Sequence, residues 1–219
     1  PAIVPGLKDF IDLVSELKTR KIKVVCTFHS EPPATVQIMK AIDRAIYHRP
    51  SNLLKNDPKI IQIPMGVPVF QVPVNKLDTR TKYGFKKSDK ILTTTGFMFT
   101  WKQHANILDM MAPYLKKDPN LKVQLLTSFN SVNPSECLKE NQNIKDVIDR
   151  HGIASQVIHI TDFLPQQELN ERLWISDVGY LWSDITTSSS SAAGKEFITS
   201  RLPLVATQSS HYHDLREGV

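Results

Sequence analysis

From Lys76 onward the chain alternates five short apolar runs with four helix-length patterns, and this rhythm limits the possible folds more than any other feature. The runs are Ile91 to Thr95, Val123 to Thr127, Val157 to Ile160, Val178 to Trp182 and Leu202 to Ala206; between them lie Gln103 to Lys117, Ser135 to Arg150, Gln166 to Ile175 and about Ala192 to Ser200. Each intervening stretch is long enough for a crossover helix, and strands that lack polar alternation suit a parallel sheet covered on both faces. Upstream, Leu7, Phe10, Ile11, Val14 and Leu17 recur at helical spacing before a β-branched run from Ile22 to Phe28. A helix over Ala34 to Ala45 and strands at Ala45 to His48 and Lys59 to Pro64 follow, with Pro32-Pro33 keeping helix out of the loop between. The expectation is an α/β chain with parallel sheets, long enough for one large domain or two small lobes.

At 219 residues, with 41% apolar and 22% charged residues, the composition is that of a soluble globular chain, and no apolar run reaches the length of a membrane span. A net charge of +5 and a pI near 9.1 suit an anionic ligand but fall short of a nucleic-acid-binding signature. The basic clusters Lys18 to Lys23 and Lys76 to Lys90 read first as solvated surface, and more sharply as a peripheral contact with an anionic membrane. Cys26 and Cys137 lack C-x-x-C spacing, which argues against zinc or a disulfide framework and fits a reducing, cytoplasmic setting. His211 and His213 have no third ligand at metal-binding spacing, so no metal site is expected.

Three places could carry chemistry. Gly96, at the end of a strand, is followed six residues later by Lys102 at the start of a helix, which offers a close backbone approach and a cation for phosphate. The run Thr186 to Ser191, alone a flexible linker, stands between the fourth strand and its helix, where N–H groups and hydroxyls face the carboxyl edge of a parallel sheet. Ser188, Ser189, Ser190, Ser191 and Ala192 are therefore phosphate candidates, and Glu196 could accept hydrogen bonds from a ribose. The third place is His29, at a strand end before Ser-Glu-Pro-Pro; His48, His104, His211 and His213 rank below it.

Taken in order, these segments resemble glycosyltransferase family 4. Val24 to His29 resembles its "vvxTxH" strand, and Lys59-Ile-Ile-Gln-Ile-Pro-Met-Gly-Val-Pro its "vIPxGV" interlobe segment. Ile91 to Lys102 resembles "iLxxGxxxxxKg", and Ile160-Thr-Asp-Phe-Leu-Pro-Gln-Gln-Glu-Leu resembles "fxGxvxxxEL". Glu196-Phe-Ile-Thr-Ser-Arg-Leu-Pro-Leu-Val-Ala-Thr is similar to "EAmaxGxPvVat". The resemblance implies a GT-B fold of two Rossmann-like lobes, with residues 1–72 the C-terminal part of an incomplete acceptor-side lobe and residues 73–219 the donor-binding lobe. It also implies metal-independent transfer, with retention, of a sugar from a nucleoside-diphosphate donor to a carbohydrate or lipid-linked acceptor. No cofactor is implied, and polysaccharide or glycolipid synthesis is the implied setting.

By the same resemblance Lys102 would hold the diphosphate, Glu196 the ribose, and His29 the transferred sugar. Gly96, Phe163, Leu164 and the Ser188 to Ala192 segment would line the donor site. The chain departs from the pattern where Ser188 replaces the first glutamate of E-x7-E, with Asp184 the nearest upstream acid, and where Phe97 replaces a basic residue. Leu164 stands where the family has a glycine, and so does Arg201 or Leu202. Two other readings share the fold: a sugar-nucleotide epimerase or hydrolase, and a non-catalytic nucleotide-sugar-binding or scaffolding domain. The opening Pro-Ala-Ile-Val-Pro-Gly suggests a piece of a longer protein, for which these 219 residues alone would not turn over.

Overall fold

The computed structural model describes residues 6–29, 31, 33–48, 51, 54–67, 69–73, 75–184 and 190–215, with backbone alone at residues 213 and 214. The chain divides into two compact units, and each is taken by itself.

The larger unit comprises residues 67–184 and 192–209. Its strands are β4 (Lys90–Phe97), β5 (Leu121–Ser128), β6 (Val157–Ile160), β7 (Val178–Leu181) and β8 (Leu204–Ala206), all parallel, in the order β6-β5-β4-β7-β8. The helices are α3 (Lys76–Lys82), α4 (His104–Lys117), α5 (Pro134–His151), α6 (Gln166–Trp174) and α7 (Ala192–Thr199). The five expected strands and four expected helices are present, within a few residues of the expected bounds. Leu108, Ala112, Leu115, Ile144 and Val147 of α4 and α5 are buried with Val123 and Leu125 of β5 in one apolar cluster. That burial is the main driving force for this layer.

The strand order has a consequence for ligands. Chain order runs β4, β5, β6 toward one edge, then returns to β7 on the other side of β4. A crevice therefore opens at the carboxyl end of β4, the topological switch point at which parallel sheets bind ligands.

Two devices fix the parts around it. Gly179 of β7 lies under the Phe197 ring, and a Cβ there would be driven into ring carbons, so glycine lets α7 pack flat against the strand. At the opposite end of the sheet, the guanidinium of Arg80 in α3 donates to the carbonyls of Ile175 (2.9 Å) and Asp89 (3.2 Å) and to the Asp177 carboxylate (2.7 Å). Asp177 in turn accepts from the Ile91 amide at 2.9 Å, so one arginine ties α3 to the starts of β4 and β7.

The smaller unit comprises residues 1–66, 185–191 and 210–219 as far as they are described. It contains α1 (Leu7–Thr19), α2 (Thr35–Ala41) and a parallel sheet β1-β2-β3 (Val25–Phe28, Arg44–Tyr47, Ile60–Gln62). Helix α2 is shorter than the Ala34 to Ala45 expected from sequence. Ile42 is extended (φ −85°, ψ 166°), because Asp43 must reach the Val24 amide with its carboxylate to start β2 beside β1.

Arg80→Ala should lower stability by about 3 kcal/mol, since the buried guanidinium serves two carbonyls and the Asp177 carboxylate, all of which lose a charged donor. Arg80→Lys should recover little of it, because an ammonium cannot reproduce the planar fork. Urea unfolding of the two variants checks this; a Lys variant as stable as the parent would contradict the account.

Candidate functional site

Strand β4 ends in Thr95-Gly96-Phe97, and the chain then makes a single 3-10 turn, Thr100–Lys102, before α4. Gly96 has φ 119°, a backbone conformation that side chains rarely adopt. A Cβ there would lie 2.5 Å from the Lys102 Nζ and 3.5 Å from the Ala193 Cβ at the start of α7. The expectation from sequence is that Gly96 lets a ligand approach the backbone; the space it opens is filled by the lysine's own amine. Gly96, Lys102 and the N-terminal turn of α7 thus converge at the switch point.

Lys102 is 7% exposed. Among the described residues its Nζ makes no ion pair or hydrogen bond; it lies over the Trp101 ring, 5.4 Å from the centroid. Burial pulls its pKa down to about 8. A buried cation without a counter-charge is costly, and an arriving anion would relieve that cost.

The surroundings are neutral. His104 is 2% exposed with both ring nitrogens unpaired; burial first, and then the charge of Lys102, depress its pKa to about 3, so the ring carries no charge near neutral pH. The Phe97 carbonyl faces that ring without hydrogen-bond geometry. Helix α5 supplies carboxylates that brace the backbone rather than the amine. Glu136 accepts from the Thr100 amide (3.2 Å) and hydroxyl (2.8 Å), and Glu140 accepts from the Ala105 amide (3.0 Å). On the solvent side Phe99 stacks on Trp101 with centroids 5.3 Å apart, and Phe97 contacts Phe99 at 5.9 Å.

The other sequence candidates fall in several places. Glu196 is half-buried on α7, three residues after Ala193 and so on the same helix face. Its carboxylate accepts from Gln166 Nε2 of α6 at 2.7 Å, and burial raises its pKa against that bond. Phe163 is 83% exposed and Leu164 half-buried, both in the loop after β6 at the carboxyl edge. Ser188 and Ser189 lie outside the described residues. Ser190 and Ser191 are buried and belong to the smaller unit, Ser190 Oγ lying 3.9 Å from Met65 Sδ; α7 begins at the exposed Ala192. His29 follows β1 in the smaller unit, exposed, its ring 5.0 Å from that of His48, whose Nδ1 is 3.0 Å from the Ile63 carbonyl.

Sequence reasoning gave little weight to His104 and assigned no role to Trp101, Trp182 or Asp184. Asp184, just beyond β7, is hydrogen-bonded to the residues flanking Lys102. The available signal was only its place after a strand end.

No sequence-family profile matches the chain, and no curated protein matches it in sequence. Solved structures do match its fold. HepE of Anabaena in complex with UDP and glucose has a TM-score of 0.75 at 11% identity, over 95% of this chain and 59% of that one. A UDP-forming trehalose-phosphate synthase of Burkholderia xenovorans gives 0.68 at 11% identity, over 93% and 58%. The C-terminal domain of the group 1 glycosyltransferase LpcC of Francisella tularensis gives 0.53 at 14% identity, over 66% and 71%. The fold is therefore α/β of the GT-B type, and the chain spans somewhat under two thirds of the length of the first two relatives.

Because His104 is held neutral, the unfolded chain takes up a proton between about pH 6.5 and pH 3 that the folded chain refuses, and stability is lost as pH falls through that window. His104→Leu should show a smaller loss between pH 7 and pH 4.5 in urea unfolding. Equal losses in variant and parent would mean the ring is not held uncharged.

Proposed function

We propose that the larger unit binds a nucleoside-diphosphate sugar and that the chain is part of a metal-independent, retaining glycosyltransferase of the family 4 kind. The observation that carries this reading is Lys102, a buried ammonium without a counter-charge among the described residues, at the switch point of a parallel sheet. The likeness of the fold to HepE in complex with UDP and glucose, or with UDP-glucose, supports it.

In this reading the diphosphate lies against Lys102 and the start of α7, where the positive end of the helix dipole favours an anion. Glu196 faces the ribose hydroxyls from the same helix. As the bond between the anomeric carbon and the phosphate oxygen breaks, the electron pair stays with the diphosphate; the acceptor oxygen bonds to the anomeric carbon and gives its proton to the departing phosphate oxygen. Lys102, already desolvated, stabilises that growing charge without reorganising. His29 stays a sugar-binding candidate on the family resemblance alone. The acceptor is a carbohydrate or lipid-linked hydroxyl, and the basic clusters suit contact with an anionic membrane surface.

Calorimetry with UDP-, GDP- and ADP-sugars tests the reading: one nucleotide class should bind, and Lys102→Ala should weaken it by about 10- to 100-fold, the loss of a charge-assisted contact. Binding to none of them would overturn it. Glu196→Gln should weaken nucleoside diphosphates while leaving inorganic pyrophosphate unchanged. Because the free amine loses its proton near pH 8 and only the charged form pairs with phosphate, donor affinity should fall as pH rises through about 8, with proton uptake on binding above it. A flat profile from pH 7 to pH 9.5 would contradict the assignment of Lys102. Transfer by the full-length enzyme should survive EDTA; loss with EDTA and recovery with manganese would show that a metal carries the charge instead.

A further inference from the structure

The amine of Lys102 has no partner among the described residues, yet the turn that carries it is tightly held from both sides by one aspartate. The Asp184 amide donates to the Trp101 carbonyl at 3.2 Å. Its carboxylate accepts from Gln103 Nε2 at 2.8 Å through one oxygen and from Trp182 Nε1 at 2.7 Å through the other. The residues immediately before and after Lys102 are therefore joined to the segment leaving β7, and β7 is the neighbour of β4 in the sheet. The indole bond fixes the rotation of the carboxylate, so the Gln103 bond has a defined direction.

Gln103 shows that this tie is favoured over ordinary helix design. It occupies the residue before α4, where Ser, Thr, Asp or Asn would cap the first amides. It also adopts φ 57°, uncommon for a residue with a side chain. Its side chain caps nothing: the amide nitrogen goes to Asp184, and the amide oxygen accepts from Asn106. Capping is left to Glu140, reaching the Ala105 amide from α5. A helix start that gives up its own cap to hold an exposed aspartate needs a reason, and the buried amine one residue earlier supplies it.

We propose that Asp184 is a positioning residue for Lys102: through Gln103 and the Trp101 carbonyl it clamps the turn so that the amine stays buried above Gly96, ready for an anion. The carboxylate does not touch the anion; it acts by keeping Lys102 from swinging into water, where the amine would be an ordinary solvated lysine. Among the described residues, the titratable groups facing the amine are His104 of α4, which burial keeps uncharged, and the buried Cys137 of α5; neither forms an ion pair or hydrogen bond with it. The effect on donor binding rests on the function proposed above, whereas the effect on the amine itself does not.

The test reads Lys102 directly, by its labelling with an amine-selective acetylating reagent across pH 6 to 11, followed by mass spectrometry. In the parent, Lys102 should label slowly with a depressed titration midpoint. Asp184→Ala and Gln103→Ala should each raise labelling by about tenfold and move the midpoint toward the ordinary lysine range. The double variant should go no further than either single one, because both cut the same tie. Asp184→Asn, which keeps one acceptor, should fall between the parent and Asp184→Ala. Unchanged labelling and midpoint in Gln103→Ala and Asp184→Asn, both folded by circular dichroism, would overturn the proposal even if Asp184→Ala failed to fold. In parallel, UDP, GDP and ADP are titrated into the same proteins. Weaker nucleotide binding in the variants supports both proposals. A shifted Lys102 in protein that binds no nucleoside diphosphate supports the clamp and removes the donor reading.

Discussion

The site depends on the position of β4 at the centre of its sheet. With β5 and β6 on one side and β7 and β8 on the other, β4 is the strand from which the chain's direction of travel across the sheet reverses. Every element that matters to the site hangs from β4 and β7. Gly96 ends β4, the Lys102 turn follows it, Asp184 follows β7, and α7 is seated on β7 by Phe197 over Gly179. Arg80 fastens the other end of the same two strands.

The electrostatics follow from that packing. A lysine amine enters the crevice over a glycine, loses its water, and meets an indole face, a neutral imidazole and a thiol in place of a carboxylate. The acids that could have neutralised it are engaged elsewhere: Glu136 and Glu140 bind backbone amides, and Glu196 binds Gln166. The arrangement is poor for stability and good for binding an anion, a pattern expected where function overrides local design. The amide and one carboxylate oxygen of Asp184 are directed at the turn, which limits the freedom of a charge that no described residue pairs.

The alternation of apolar runs and helical patterns was legible as a parallel α/β chain, because strand and crossover lengths are local properties of the sequence. Lys102 and Gly96 were legible as neighbours of a strand end, but not as neighbours of each other in space. The over-long α2 shows the limit of periodicity: Ile42 to Ala45 carries on a helical pattern, and only the pairing of β2 with β1 through Asp43 breaks it. His104 read as one of several unremarkable histidines, since nothing in the sequence reports that both its nitrogens are buried.

The sequence by itself thus determined the class of fold, the order of its strands and helices along the chain, and the residue types available at each strand end. Tertiary structure alone decided the order of strands across the sheet, and with it the crevice at β4. It also decided that an aspartate eighty-two residues beyond Lys102 would grip the turn on both sides of it. The reason is physical: helix and strand preferences act over a few residues, whereas the desolvation of a charge and the direction of a hydrogen bond depend on which distant segments the sheet brings together.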